Sequence, residues 1–257
     1  MTAAPVRRPS VTLTVLGGSG AWPTATQACS GYVVECGGFV LLMDPGYATL
    51  PRLLEIIPVD AIDAVLVSHR HPDHCADLNP LLRARALRDV PAGPLPVYSL
   101  PGALDAILAL DRPGMLDTAF DLHEFEAGTD LAIGPFAVAT RALPHSTPNA
   151  GFRIAAGGRA IAYTGDAGPS QDLVELANYV DLLLAEASYV DRVPEDSAGT
   201  LCSAGDAGRQ AEQAGARALM LTHLLPGTPV EEARTAARAT YGGPVDVARG
   251  GLVVTLA

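Results

Sequence analysis

The chain contains no lysine: all 17 of its basic residues are arginine. That absence excludes a Schiff-base lysine, a P-loop lysine and a Ser–Lys dyad. Cysteine is scarce as well. Cys29, Cys36, Cys75 and Cys202 form no Cys-x-x-Cys pair, so neither a zinc knuckle nor a disulfide framework is expected, and the thiols should be free. No apolar run approaches the roughly 18 residues that span a membrane. The stretch Met1–Ser10 carries two arginines but lacks the apolar segment of a signal peptide, so a cytoplasmic location without a membrane partner is expected. Basic charge is also in deficit. The 28 acidic and 17 basic residues leave a net charge of −11, which repels nucleic acid and anionic lipid unless a local basic patch offsets it. No arginine run forms such a patch, and no nucleic-acid partner is expected.

What is present describes a globular protein with a substantial core: 257 residues, 49% hydrophobic and 18% charged. Val11–Leu16 alternates as a strand does and runs into Gly17-Gly18-Ser19-Gly20, read as a turn because the rest of a phosphate-loop or dinucleotide signature is missing. Tyr32–Glu35 and Phe39–Met43 form a hairpin around Gly37-Gly38, ending at Asp44-Pro45-Gly46. Phe152–Ala155 and Ala160–Tyr163 repeat that arrangement around Gly157-Gly158, ending at Thr164-Gly165-Asp166. Further strands are expected at Asp63–Val67, Leu95–Leu100, Asp121–Glu126, Phe136–Leu143, Asp181–Ala185, Ala218–Leu221 and Leu252–Leu256. Helices are expected at Leu50–Ile57, Leu81–Arg88, Gly102–Leu110, Gln171–Tyr179 (capped by Ser170), Ala204–Ala214 and Val230–Thr240. No linker, solenoid repeat or low-complexity segment interrupts them. The expectation is one layered α/β domain, residues 1–257.

The organising stretch is Val65 to Asp77. A buried strand empties into His69-x-His71-x-Asp73-His74, which holds three of the chain's six histidines. In an extended loop residues 69, 71 and 73 point the same way, and a turn brings His74 beside them. Imidazole and carboxylate are ligands that Zn²⁺ and similar ions accept. One loop rarely closes a metal site, and three further strand ends carry suitable residues: His145, Asp166 and His223. Only His123 is left over, as an ordinary histidine. Arg70 lies between two ligands, and alternation points it away from them.

These residues resemble the metallo-β-lactamase superfamily over Val11 to about Pro226, which implies the four-layer αββα fold. By that resemblance His69, His71 and His145 bind one metal, and Asp73, His74 and His223 a second. Asp166 bridges the two, and Asp44 orients a ligand histidine from behind. Two divalent ions are implied, Zn²⁺ first and Mn²⁺ as the alternative, sharing a bridging hydroxide. Several stretches are similar to the ribonuclease Z and cyclic-nucleotide phosphodiesterase branch: Gly18-Ser19-Gly20-Ala21-Trp22-Pro23, Pro144-His145-Ser146-Thr147-Pro148, Ala185-Glu186-Ala187-Ser188 and Leu221-Thr222-His223. That branch pairs an acidic residue with a histidine at the position of Leu201, and leucine cannot carry a proton.

The expected function is therefore a metal-dependent hydrolase, a phosphodiesterase acting on a small cyclic or diester phosphate. The candidate catalytic carboxylates are Asp73 and Glu186, the latter without its partner. Ser146, Thr147 and Asn149, which flank His145, are the candidate substrate contacts. Ribonuclease Z activity itself is not expected, because only 21 positions separate His145 from Asp166, too few for the tRNA-binding insertion. A thioesterase or lactonase of the same fold, tolerant of Leu201, is the alternative; a metal-binding protein with impaired turnover is another. A homodimer is implied by the resemblance alone.

Overall fold

The computed structural model describes residues 9–257; the signal-peptide reading of Met1–Ser10 falls almost wholly outside them. The chain lays down two sheets in succession. The first takes β1 (Val11–Ser19), β2 (Ala28–Cys29), β3 (Gly31–Cys36), β4 (Phe39–Met43), β5 (Ala64–Leu66), β6 (Leu95–Ser99) and β7 (Phe120–Glu124). The second takes β8 (Asp130–Ile133), β9 (Phe136–Ala142), β10 (Ala150–Ala156), β11 (Arg159–Tyr163), β12 (Leu182–Glu186), β13 (Leu219–Thr222) and β14 (Val245–Val247). The last strand, β15 (Val253–Leu256), returns to the first sheet and pairs antiparallel with β1. Each sheet begins antiparallel and becomes parallel after its glycine hairpin, at β4 in the first and β11 in the second.

Period-two alternation explains the layering. Leu41 and Met43 of β4 face the second sheet, whereas Val40 and Leu42 face outward; Leu184 of β12 faces the first sheet, whereas Leu183 faces outward. Strands buried on both faces need helices outside, and both outer faces have them. Helices α1 (Thr49–Leu54), α2 (Pro72–Cys75), α3 (Leu78–Ala86) and α4 (Asp105–Leu108) belong to the first half, and α1, α3 and α4 cover its outer face through Leu53, Leu81 and Ile107. Helices α5 (Gln171–Leu176), α6 (Ala204–Ala214) and α7 (Val230–Arg238) cover the second. The result is the expected αββα order. Ser203 and Asp206 close a capping box on α6, and the Ser170 hydroxyl accepts the Leu173 N–H at the start of α5. Among the described residues no helix is long and apolar enough to cross a membrane, and all four cysteines are free and buried.

The structure corrects several expected elements. Gly17-Gly18-Ser19 is not a turn but the continuation of β1. A Cβ on Gly17 would lie 2.3 Å from the Cys29 carbonyl oxygen, so the glycine permits β2 to approach β1 closely. The segment after His71 is not extended: Pro72 opens the short helix α2, which carries Asp73 and His74. The helix expected over Gly102–Leu110 is only one turn, Asp105–Leu108. Strands β2, β8 and β14 were not expected at all.

Candidate metal centre

Every candidate ligand lies where a strand of one sheet ends beside a strand of the other. After β5, Val67 and Ser68 lead to His69, and the Pro72 turn lifts Asp73 and His74 back beside it. His145 follows β9, Asp166 follows β11 and His223 follows β13. The side chains gather into two groups, His69–His71–His145–Asp166 and Asp73–His74–Asp166–His223, with one ligand atom from each residue and all within 4.8 Å of one another. Each group thus draws two donors from the loop of the first sheet and two from strand ends of the second.

The geometry inside each group is that of a coordination shell. His71 Nδ1 lies 3.1 Å from both His69 Nε2 and His145 Nε2. In the other group Asp73 Oδ2 lies 3.1 Å from His223 Nε2, and Asp166 Oδ1 lies 3.1 Å from His74 Nε2 and 3.2 Å from His223 Nε2. Ligands placed about 2.1 Å from a tetrahedral ion are separated by about 3.4 Å, so these spacings suit one ion per group. Asp166 divides its oxygens: Oδ2 faces His69 and His145 at 3.8 and 3.9 Å, while Oδ1 faces His74 and His223. His74 Nε2 and Asp166 Oδ1 are buried without a hydrogen-bond partner, a costly state that a cation between them would relieve. The residues therefore fit a divalent metal.

Behind the ligands stands a second layer of polar groups that fixes their orientation. Asp44, wholly buried, accepts from His74 Nδ1 at 2.8 Å, the Ser68 amide at 2.7 Å, the Ser68 hydroxyl at 2.6 Å and the Tyr163 hydroxyl at 2.8 Å. Ser188 Oγ lies 3.0 Å from His223 Nδ1, Ser68 Oγ lies 3.0 Å from His69 Nδ1, and His145 Nδ1 donates to the Thr200 carbonyl at 3.0 Å. The Ala21 amide donates to Asp73 Oδ2 at 2.9 Å. Asp44 and His223 both hold positive φ, 44° and 57°. Such strain persists in non-glycine residues only where the surroundings enforce it. Of these groups only Asp44 was expected in this role. Ser68 adjoins His69 in sequence, and Ala21 and Ser188 lie in the stretches that resemble the family, whereas Tyr163 reaches the site through folding alone.

Without metal the two groups differ in protonation. Burial holds the His69 and His71 imidazoles below their usual range, and neighbouring histidines add to the effect. Burial opposes charge on His74 and His223 too, but the Asp166 carboxylate overrides it and raises both, with Asp44 assisting at His74 and Asp73 at His223. Burial pushes the Asp166 carboxyl up, yet His223, His74 and His69 hold it well below the usual range. His223 and His74 likewise hold Asp73 down.

The remaining expected residues take distinct places. Ser146 is exposed, its Oγ 3.4 Å from His145 Nε2. Thr147 Oγ1 is buried and has no partner. Asn149 turns inward, its amide nitrogen donating to the Thr164 and Asp166 carbonyls at 3.0 and 2.7 Å, which braces the Asp166 loop. Glu186 is buried, and it is not unpaired as the missing histidine suggested: its oxygens accept the Ser188 and Cys202 amides at 2.9 and 2.6 Å. Burial, then the Asp166 charge, pushes its carboxyl up to about 7. Leu201 is half-buried between Thr200, which holds His145, and Cys202, which holds Glu186. Arg70 is exposed, and His123 stacks on Tyr98 at 4.8 Å, away from the centre. A cleft of about 590 Å³ opens beside His145, with Ser146, Thr147 and Asn149 in its wall.

Comparison with known proteins agrees with this architecture. YhfI of Bacillus subtilis (strain 168), described as a probable metallo-hydrolase, is 30% identical over 248 residues, covering 94% of this chain and 98% of its own. Its crystal structure matches with a TM-score of 0.88 over 96% of this chain and 100% of YhfI. The uncharacterized protein Rv1339 of Mycobacterium tuberculosis (strain ATCC 25618 / H37Rv) is 34% identical over 244 residues, 92% of this chain and 89% of its own. The short form of human tRNase Z matches with a TM-score of 0.76 at 25% identity, over 95% of this chain and 98% of that one. The family profile described as "Beta-lactamase superfamily domain" matches residues 40–224. With its αββα layers and the histidine–aspartate cluster at their seam, the chain belongs to the beta-lactamase superfamily.

Proposed function

We propose that the protein is a dinuclear metal-dependent phosphodiesterase acting on a small diester or cyclic phosphate. The observation that carries this reading is the split of Asp166, whose two oxygens face two different three-residue sets of donors. When bound, two divalent cations at these positions, Zn²⁺ or Mn²⁺, would polarise a phosphoryl oxygen and lower the pKa of water. The rest falls to the chain. His69, His71 and His145 hold one position and Asp73, His74 and His223 the other, with the rings of His69, His74, His145 and His223 fixed from behind by Ser68, Asp44, Thr200 and Ser188 in turn. Thr147, with an uncommitted hydroxyl, and Ser146 stand beside His145 where a phosphoryl oxygen would arrive. Similarity to the human tRNase Z short form supports phosphorus–oxygen chemistry, whereas the acidic composition favours a small substrate over an RNA.

Glu186 serves as a positioning group. Both of its oxygens accept backbone amides, so it fixes Ser188, and through it His223, rather than delivering a proton. No imidazole occupies position 201, and this favours substrates whose leaving group departs without protonation. A thioester or lactone is the second reading on that same observation.

Metal-loaded protein should hydrolyse bis(p-nitrophenyl) phosphate, and Asp166→Ala should reduce that turnover by at least about a thousandfold while metal content on the same sample falls. Two equivalents of metal with no diester turnover, but with hydrolysis of an aryl thioester, would transfer the assignment to the second reading. Leu201→His should accelerate diesters with alkyl leaving groups by about ten- to a hundredfold, the lower range of general-acid effects, and aryl ones much less.

A further inference from the structure

The cleft beside His145 has a composition that the metal chemistry does not require. Leu100, Pro101, Ala127, Pro144 and Pro148 form apolar walls, and among the described residues its ionisable lining is His145 and Glu126 alone. Anionic substrates are commonly met by arginine, yet no arginine among the described residues lines this cleft. A carboxylate stands there instead.

Glu126 is presented firmly. It follows β7 and opens the turn into β8, where the Thr129 amide donates to its carbonyl at 3.1 Å and Gly128 takes a φ of 99°. The turn is tied to β9: the Gly128 amide donates to Thr140 Oγ1 at 2.9 Å, and Thr140 Oγ1 donates to the Thr129 carbonyl at 2.8 Å. Thr140 is wholly buried, and β9 is the strand that runs on to His145. One strand thus sets the separation between the ligand histidine and the carboxylate. Near the floor, Thr147 Oγ1 is buried and unpartnered, leaving one hydrogen-bonding group free for whatever enters.

Resting on the phosphodiesterase reading above, we propose that this cleft receives the organic arm of the substrate beyond the phosphate. Glu126 is its specificity-determining residue, selecting an uncharged or cationic arm against one that bears a second negative charge. The metal positions attract the phosphate itself, so the carboxylate acts on the remainder. Substrates with one phosphate and an apolar or ammonium-bearing group fit. A diester whose other side continues into further phosphates does not.

The test uses the metal-loaded full chain and three p-nitrophenyl phosphodiesters that differ in the second arm: phenyl, choline and glycolate. Unit charges about 6 Å apart at an effective dielectric of about 40 to 80 give a discrimination of about three- to tenfold. Wild type should therefore use the phenyl ester about three- to tenfold better than the glycolate ester in kcat/KM, mainly through KM, and the choline ester about ten- to a hundredfold better. Glu126→Gln should remove the difference and Glu126→Arg should invert it, and 0.5 M salt should compress both effects. Glu126 is exposed, so thermal melts of the variants should match wild type. Equal use of all three esters by wild type, or an unchanged ranking in Glu126→Arg, overturns the inference while leaving the phosphodiesterase reading intact. Failure of wild type to turn over any of the three, with metal bound, overturns both.

Discussion

The two candidate metal-binding groups share a carboxylate but not an environment. Asp73, His74 and His223 are buried and braced by Asp44, Ser188 and the Ala21 amide. His71 and His145 are half-buried, His145 lines the open cleft, and its ring is held by a loop carbonyl. The first group has the donor set with two carboxylates and the second has three imidazoles. Their electrostatics differ in the same sense: the Asp166 carboxylate raises the His74 and His223 imidazoles, whereas burial lowers those of His69 and His71. The buried group therefore attracts protons that a cation would have to displace. The open group is ready for one.

The largest effect that would break this contrast is expected from Asp44→Ala. It strips His74, Ser68 and Tyr163 of one shared acceptor. Disrupting a buried charged network costs about 3–5 kcal/mol, and loss of an outer-shell carboxylate weakens metal binding about 10–100-fold. A metal titration should show the buried equivalent weakened most, through His74, and the other less, through Ser68 and His69; equal weakening of both would abolish the distinction between the groups.

An intermediate effect is expected from pH. His74 and His223 have folded pKa values above their unfolded ones, so their contribution to the metal-free protein is complete below about pH 6.5. It disappears as pH rises through the raised folded values. Metal entering the buried group must displace those protons, so its affinity should climb with pH, by up to about tenfold per unit for each proton displaced, and level off once pH passes the raised folded values. Uptake at the group that holds His69 and His71 should depend less on pH, since both imidazoles are held below their usual range. Calorimetric titrations in buffers of different ionisation enthalpy would count the protons released by each equivalent, and equal counts would contradict the contrast. The smallest effect is expected from Ser188→Ala, which removes a single hydroxyl from His223 Nδ1 and should weaken the buried equivalent by severalfold, consistent with about 1 kcal/mol for a hydrogen bond.

The sequence discloses the open and buried groups in the same two ways. The ligands of the opening loop were legible because they are contiguous, and those at 145, 166 and 223 because each ends an apolar run. The two glycine hairpins were legible for a similar reason, since local turn chemistry at Gly37-Gly38 and Gly157-Gly158 decides them. What escaped depends on partners far along the chain. Gly17 and Gly18 lie in a strand because neighbouring backbone must come close, not because they turn. Residue 73 leaves the extended alternation because Pro72 fits the first turn of a helix. Asn149 carries the polar character of a substrate contact but directs its amide nitrogen to the backbone that holds Asp166. Strands β2, β8 and β14, two, four and three residues long, also escaped.

The two-plus-two origin of each group has a mechanical meaning. Neither the half of the chain ending at β7 nor the half beginning at β8 owns more than two donors to either position. A bound ion is thus a rivet across the seam, and the Asp44–Tyr163 hydrogen bond lies beside it as a second, metal-free fastening. A chain severed in the turn between β7 and β8 would be expected to reassemble under the control of divalent ions, with each ion reporting by its presence that the halves have met.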